Sequence, residues 1–296
     1  MRPIALQPKF VERVWGATSL DPWYPPVDRR IGEVWLSSDD IQTSEGVSLG
    51  QLTERAEVMG GAIPAGRFPI LVKFLFTTEK LSVQVHPEDE YAYAHHDQPG
   101  KTEMWYVLAA EPGATIAQGF AQPTTEAELR QALSDGTAES LLEWWPASTG
   151  QTYFTPARTV HAIGGGLSIC EIQQNSDVTY RLWDYGRPRE LHVEPSIAVL
   201  DWGRAPGPLS PTGSLLASCE YFATERHHLH GPVAWGSDPE RFHLLVITKG
   251  EGLLSWGGEV EEVRAGQAWL IPATLGSYIV DGTPELEVLR VWVPSR

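Results

Sequence analysis

The sequence predicts a mostly β protein made of two β-barrel modules with a small α-helical insertion. Three observations predict it. Short β-rich runs follow one another with turn residues between them, 28 glycines and 23 prolines punctuate the 296 residues, and a Gly-x5-Pro segment occurs twice. In chain order, Gly32 to Ser37, Ile70 to Phe76, Leu81 to Val85, Glu103 to Leu108, Thr115 to Gln118 and Leu167 to Gln173 read as strands. So do Glu220 to Glu225, Phe242 to Lys249, Gly252 to Trp256, Ala268 to Ile271, Tyr278 to Val280 and Leu286 to Val293. Two segments depart from this pattern. Leu52 to Met59 reads as a short helix, and Thr125 to Trp144 as the core of a helical insertion spanning about 122–146. There Thr124 or Thr125 can cap, Glu126 and Glu128 occupy the first turn, and Leu129, Ala132, Leu133, Leu141 and Leu142 supply the apolar positions. Ser134-Asp135-Gly136 divides it into two helices. The chain-breaking stretch Ala205 to Pro211 reads as a linker between a module over 1–205 and a smaller one over 212–296.

Charge and cysteine content narrow the function classes. Thirty-eight acids face 22 bases, a formal charge of −16, so nucleic acid and anionic membranes are excluded as main partners by repulsion. Two cysteines, Cys170 and Cys219, cannot make a disulfide framework, and a reducing cytoplasm is the expected location. The opening Met1-Arg2-Pro3-Ile4 leads into no long apolar stretch, against a secretory signal. The most apolar windows, Phe68 to Phe76 and Leu244 to Thr248, fall far short of the roughly 20 residues of a spanning helix. Nothing in the sequence separates a monomer from a weak homodimer.

The repeated segments are Gly150-Gln151-Thr152-Tyr153-Phe154-Thr155-Pro156 and Gly266-Gln267-Ala268-Trp269-Leu270-Ile271-Pro272. Five residues after the first proline stands His161, which resembles the second motif of the cupins, small double-stranded β-helix barrels that hold a metal inside. Ser277 takes that place in the second copy, and a hydroxyl is a poor ligand for a borderline metal. His243 lies seven residues before Gly250, near where cupins place a glutamate, and His227, His228 and His230 read as surface histidines. One module is therefore metal-competent and the other scaffold.

Two of the nine histidines have ligand company. Ser82-Val83-Gln84-Val85-His86-Pro87 is a period-2 strand, so Ser82, Gln84 and His86 share a face, as do Lys101 and Glu103 further on. If both faces look into one barrel, Gln84, His86, Glu103 and His161 converge. Two imidazoles, a carboxylate and an amide oxygen suit zinc or a similar divalent ion with a position left for substrate.

The chain also resembles the type I mannose-6-phosphate isomerases (phosphomannose isomerases) in their short bacterial form. The resemblance rests on Leu81 to Pro87 with Asp89-Glu90-Tyr91-Ala92, on Lys101-Thr102-Glu103-Met104-Trp105-Tyr106, on Thr159 to Gly164, and on Glu171 to Tyr185. Arg13-Val14-Trp15-Gly16 and Gly32-Glu33-Val34-Trp35 are similar to the family's opening. It implies one zinc ion held by His86, Glu103 and His161, with Gln84 as fourth ligand, and a hexose 6-phosphate substrate. It also implies catalytic roles for Arg181, Glu171 and Lys101, and substrate contacts from Ser82, Lys101 and Arg187. The reaction implied is interconversion of mannose 6-phosphate and fructose 6-phosphate by proton transfer through an enediol; the alternative is a non-catalytic metal- and sugar-phosphate-binding cupin. Arg158 departs from the family, whose short members carry glycine before Thr-Val-His. If that position needs a positive φ, an altered turn is expected there. Trp105 and Trp183 read as packing residues.

Overall fold

The computed structural model describes residues 1–61, 63 and 66–295, and by internal contacts it divides into two compact units. One comprises Arg13–Ala17 and Leu75–Ser210, the other Met1–Glu12, Thr18–Phe74 and Pro211–Arg296. Most of the first 74 residues thus group with the C-terminal segment rather than with a module over 1–205. The cause is strand pairing remote in sequence: Ile4–Leu6 lies antiparallel to Ala268–Ile271, with Ile4 opposite Leu270.

The unit holding residues 75–210 is two sheets with a shared interior. A five-stranded sheet runs Tyr180–Trp183, Val83–Val85, His161–Ile163, Thr115–Phe120, Leu142–Pro146. The other contains Pro208–Leu209, Thr152–Thr155, Glu103–Ala110 and Leu167–Gln174 as successive neighbours. Two apolar clusters fill the unit, one around Val85, Phe120, Ala162 and Leu182, the other around Trp105, Val107, Tyr153, Ile163 and Ile169. Burying a large apolar side chain contributes roughly 1.5–3 kcal/mol, so these clusters stabilise the unit that carries the polar interior.

The helical insertion differs from expectation at its end. Thr125 caps the helix Glu126–Asp135 in a reciprocal box with Glu128, and Gly136 ends it at φ 72°. A 3-10 turn, Ala138–Leu141, follows, but Leu142–Pro146 is a strand, with Trp145 opposite Ile116. Leu142, Trp144 and Trp145 fit a pleated surface, and a neighbouring strand overrides the local helical pattern. The stretch Ala205 to Pro211 is more than a linker: Pro208–Leu209 pairs with Thr152 and Tyr153, and Gly207 sits at φ 72° against Trp145, where a Cβ would come within 2.5 Å of the ring. Of the helix read over Leu52 to Met59 only the single turn Ala56–Met59 forms, another turn, Leu49–Leu52, ending where that reading began; Asp89–His96 and Val193–Val199 are helices the sequence pattern did not signal.

In the other unit the sheet order is Ile4–Leu6, Ala268–Ile271, His243–Trp256, Leu286–Trp292, Ala223–Leu229, Leu215–Ser218. The runs read as two strands, Phe242 to Lys249 and Gly252 to Trp256, are one strand that turns a corner. Its register slips between Ile247 and Lys249, and Gly250 takes φ 78° where a Cβ would meet the Glu285 carbonyl at 2.1 Å. Beyond the corner the strand pairs with Glu259–Arg264 and Ser277–Asp281.

The repeat is a structural duplication. Gly150 (φ 85°) and Gly266 (φ 90°) donate to the carbonyls of Val107 and Ile247, whose N–H groups donate back to Gln151 and Gln267. In both copies the glutamine Oε1 accepts the main-chain N–H three residues upstream, from Ser148 at 2.8 Å and Arg264 at 3.1 Å. Glu103 then stands opposite Thr155 as His243 stands opposite Ile271, so His243 occupies the glutamate position.

Candidate active site

Register gathers the polar interior. His161 lies opposite Gln84 on one side and Gln118 on the other, and Gln84 lies opposite Arg181. Directly opposed residues share a face, so Gln118, His161, Gln84 and Arg181 form one row across the five-stranded sheet. On the second sheet Glu103 stands between Thr155 and Gln173, and Trp105 between Tyr153 and Glu171. Glu103 and Trp105 are two positions apart on one strand, so both rows face the same way. The faces meet where Gln118 Nε2 donates to Thr155 Oγ1 at 2.8 Å and the Trp105 ring stands edge-on to His161 at 5.2 Å.

At the centre, His86, Glu103 and His161 are all buried, with one donor atom from each inside a 4.8 Å span. Nε2 of His161 is 3.2 Å from Glu103 Oε1, and Nε2 of His86 is 3.6 Å from Oε2. The other nitrogen of each ring is committed to a carbonyl: His86 Nδ1 to Val178 O at 3.0 Å, His161 Nδ1 to Thr159 O at 2.9 Å. Those bonds fix the Nε2 lone-pair tautomers, an arrangement that orients histidines for metal binding. Burial, reinforced by the Lys101 ammonium, pushes the His161 imidazole down to about 3, so it is neutral and its Nε2 is an acceptor with no hydrogen-bond partner among the described residues. Two imidazoles and a carboxylate brought this close make a candidate cation site, and the donor chemistry fits zinc. Lys101 supplies positive charge meanwhile: its Nζ contacts Glu103 Oε2 and lies 2.9 Å from His86 Nε2.

Glu171 is buried and accepts from Trp105 Nε1 at 2.9 Å. Trp105 packs in the core as read from sequence and in addition holds Glu171 through this bond; its period-2 spacing from Glu103 was the available signal for the second role. Arg181 reaches back to donate from Nη1 to Glu190 O at 2.8 Å, and burial, with Arg189 and Arg187 nearby, lowers its pKa. Asp184 receives a bidentate fork from Arg189, both bonds 2.6 Å, while Arg187 is tied to the Lys80 carbonyl and stacks on Tyr185. Ser82 is buried at the head of the Val83–Val85 strand. The structure thus brings Lys101 into the His86, Glu103 and His161 cluster, aligns Gln84 and Arg181 beside it by register, and holds Arg187 on the loop after Trp183.

Arg158 keeps the left-handed turn rather than altering it. It takes φ 75°, its N–H donates to His86 O at 2.7 Å, and its Nε donates to Val199 O at 3.1 Å.

Fold and site define the class: a two-module, cupin-type β protein with a metal-competent interior in one module. Residues 5–132 match the phosphomannose isomerase type I catalytic domain, and residues 212–292 match the mannose-6-phosphate isomerase cupin domain. The chain is 34% identical to the mannose-6-phosphate isomerase ManA of Bacillus subtilis over 96% of this chain and 97% of that one. It is also 34% identical to a mannose-6-phosphate isomerase of Streptococcus mutans over 96% of each chain. The crystal structure of a Bacillus subtilis mannose 6-phosphate isomerase superposes with a TM-score of 0.89 at 29% identity, covering 98% of this chain and 99% of that one. The chain belongs to the type I phosphomannose isomerase family and is an enzyme of the isomerase class. No helix among the described residues is long and apolar enough to cross a membrane.

Proposed function

We propose that the protein is a zinc-dependent, cytoplasmic aldose–ketose isomerase that interconverts mannose 6-phosphate and fructose 6-phosphate through an enediol. The observation that carries the reading is the convergence of two tautomer-fixed imidazoles and a buried carboxylate beside Arg181 and Glu171. His86, Glu103 and His161 are the metal ligands, with Gln84 the fourth. Zinc bound there supplies a Lewis acid for the sugar oxygens.

The remaining chemistry belongs to side chains. As a proton leaves C2 of the open-chain aldose, negative charge grows on an oxygen, and the guanidinium of Arg181, cationic at any working pH, stabilises it. Glu171 carries the proton between C2 and C1, and the Trp105 bond helps keep it aimed. Lys101, inside the ligand cluster, is placed for a sugar oxygen close to the reacting carbons. Ser82 and Arg187 contact the rest of the substrate. Arg187 and Arg189 pair with Asp184, and the field of Arg181, Arg187 and Arg189 against Asp184 and Glu190 leaves local positive charge for a phosphate dianion.

The test is a coupled assay of fructose 6-phosphate formation from mannose 6-phosphate on purified, chelator-stripped and zinc-reconstituted protein. Stripping should abolish turnover and zinc should restore it. Full turnover without metal overturns the metal role, and mannose 6-phosphate binding without turnover in the zinc-loaded protein overturns the reaction.

A further inference from the structure

We propose that His192 is a positioning residue for catalysis: it completes the unpaired edge of the strand that carries Arg181. Tyr180–Trp183 is the outermost strand of its sheet, so among the described residues one side of its backbone faces no strand. Arg181 and Gln84 are opposed, but the main-chain N–H and C=O of Arg181 turn outward, away from Gln84. His192 meets both. Its own N–H donates to Arg181 O at 2.7 Å, and its ring Nδ1 accepts the Arg181 N–H at 3.2 Å. One residue thus supplies the donor and the acceptor that a neighbouring strand would have supplied, with an imidazole nitrogen in place of a carbonyl oxygen.

The residue is itself anchored. Its carbonyl accepts from Ser196 N–H at 2.9 Å and from Ser196 Oγ at 2.6 Å, where the helix Val193–Val199 begins. Its ring lies 6.2 Å from the Tyr180 ring, whose hydroxyl bonds to His96 Nε2 at 2.6 Å. Two residues earlier, Glu190 O holds the Arg181 guanidinium. The segment 190–192 therefore grips Arg181 at both its backbone and its charged end. The ring bond requires the tautomer with the proton on Nε2, leaving Nδ1 as acceptor.

The inference rests on Arg181 as the group that stabilises developing charge. Steady-state kinetics of zinc-loaded variants on mannose 6-phosphate test it. A misplacement of about 1 Å costs on the order of 10²-fold, so His192→Ala should lower kcat roughly 10- to 100-fold with KM within about threefold of wild type. His192→Asn, whose Oδ1 stands where Nδ1 stood, should restore most of kcat; His192→Gln, with its amide one methylene further out, should not. In an Arg181→Met background, His192→Ala should lower kcat no further, because residues acting as a unit are not additive. Full additivity in that background, or equal losses for Asn and Ala, overturns the inference and leaves only a packing role. If His192→Ala does not fold, the Asn and Gln variants carry the comparison. Wild-type kcat in Arg181→Met alone would instead refute the role given to Arg181.

Discussion

Replacing Glu103 with glutamine should unfold the metal-free protein more readily than any loss of shape explains. Glu103 is 0% exposed and Lys101 5%, and the ammonium touches both Glu103 Oε2 and, at 2.9 Å, His86 Nε2. Glutamine keeps the volume and removes the charge, so a buried ammonium is left facing an imidazole and an amide. Removing one partner of a buried pair costs about 3–5 kcal/mol, and Lys101→Met should cost a similar amount by stranding the carboxylate. The double variant Glu103→Gln/Lys101→Met strands neither charge and should fall within about 1–2 kcal/mol of wild type, although the singles sum to roughly 6–10 kcal/mol. Urea titrations of chelator-treated protein, followed by tryptophan fluorescence, measure all four forms. The double variant should stay inactive after zinc is restored, since a ligand is gone, so stability and turnover should separate. A double variant as unstable as the sum of its parents would refute the argument, because Lys101 and Glu103 would then not be compensating one another.

Two further outcomes follow from individual backbone and burial features. Arg158→Ala and Arg158→Gly both lose the Nε bond to Val199, but only alanine keeps a Cβ at φ 75°, so thermal melts should rank glycine above alanine by about 1 kcal/mol; the reverse order would mean that the turn relaxes. His243 is pushed down to about 4 by burial, then by Arg290 and Arg241, against Asp238 and Glu225. The unfolded chain therefore takes the proton first, near pH 6.5, and stability is full above that pH and falls as it drops toward 4. At 1.36 kcal/mol per unit the loss amounts to about 3 kcal/mol, and His243→Phe should abolish that part of the acid sensitivity in urea midpoints taken from pH 7 to 4.5.

The candidate cation cluster was legible in part because a strand's period of two fixes faces: Gln84 and Glu103 are strand residues as read, whereas His86 and Lys101 lie just outside Val83–Val85 and Glu103–Ala110 and join the cluster from the adjoining chain. The N-cap at Thr125 was legible for a similar reason, since capping depends on residues three apart. Leu142 to Trp144 misled because their helical pattern is local and the partner strand Thr115–Phe120 is not. The packing of Ile4 to Leu6 on Ala268–Ile271 was invisible, being a pairing across more than 260 residues with no periodic trace. Trp105 could have been found from its spacing to Glu103. His192 could not, because its work is to stand beside an edge strand, and edge position is a property of sheet order rather than of sequence.

The glutamine-braced turn shared by Gly150 and Gly266 makes the second module a ready test bed for installing chemistry. It keeps the ladder in step with the first module, so the coordinates of ligand sites carry over by register: Glu103 maps to His243, His161 to Ser277, and Gln84, opposite His161, to Gly236, opposite Ser277. A hairpin whose alignment is set by its turn tolerates exchange of the side chains it displays. The two halves of one polypeptide thereby share a ladder while displaying different side chains on it, and grafting residues across at matched positions would show how much of an active site is geometry set by the turn.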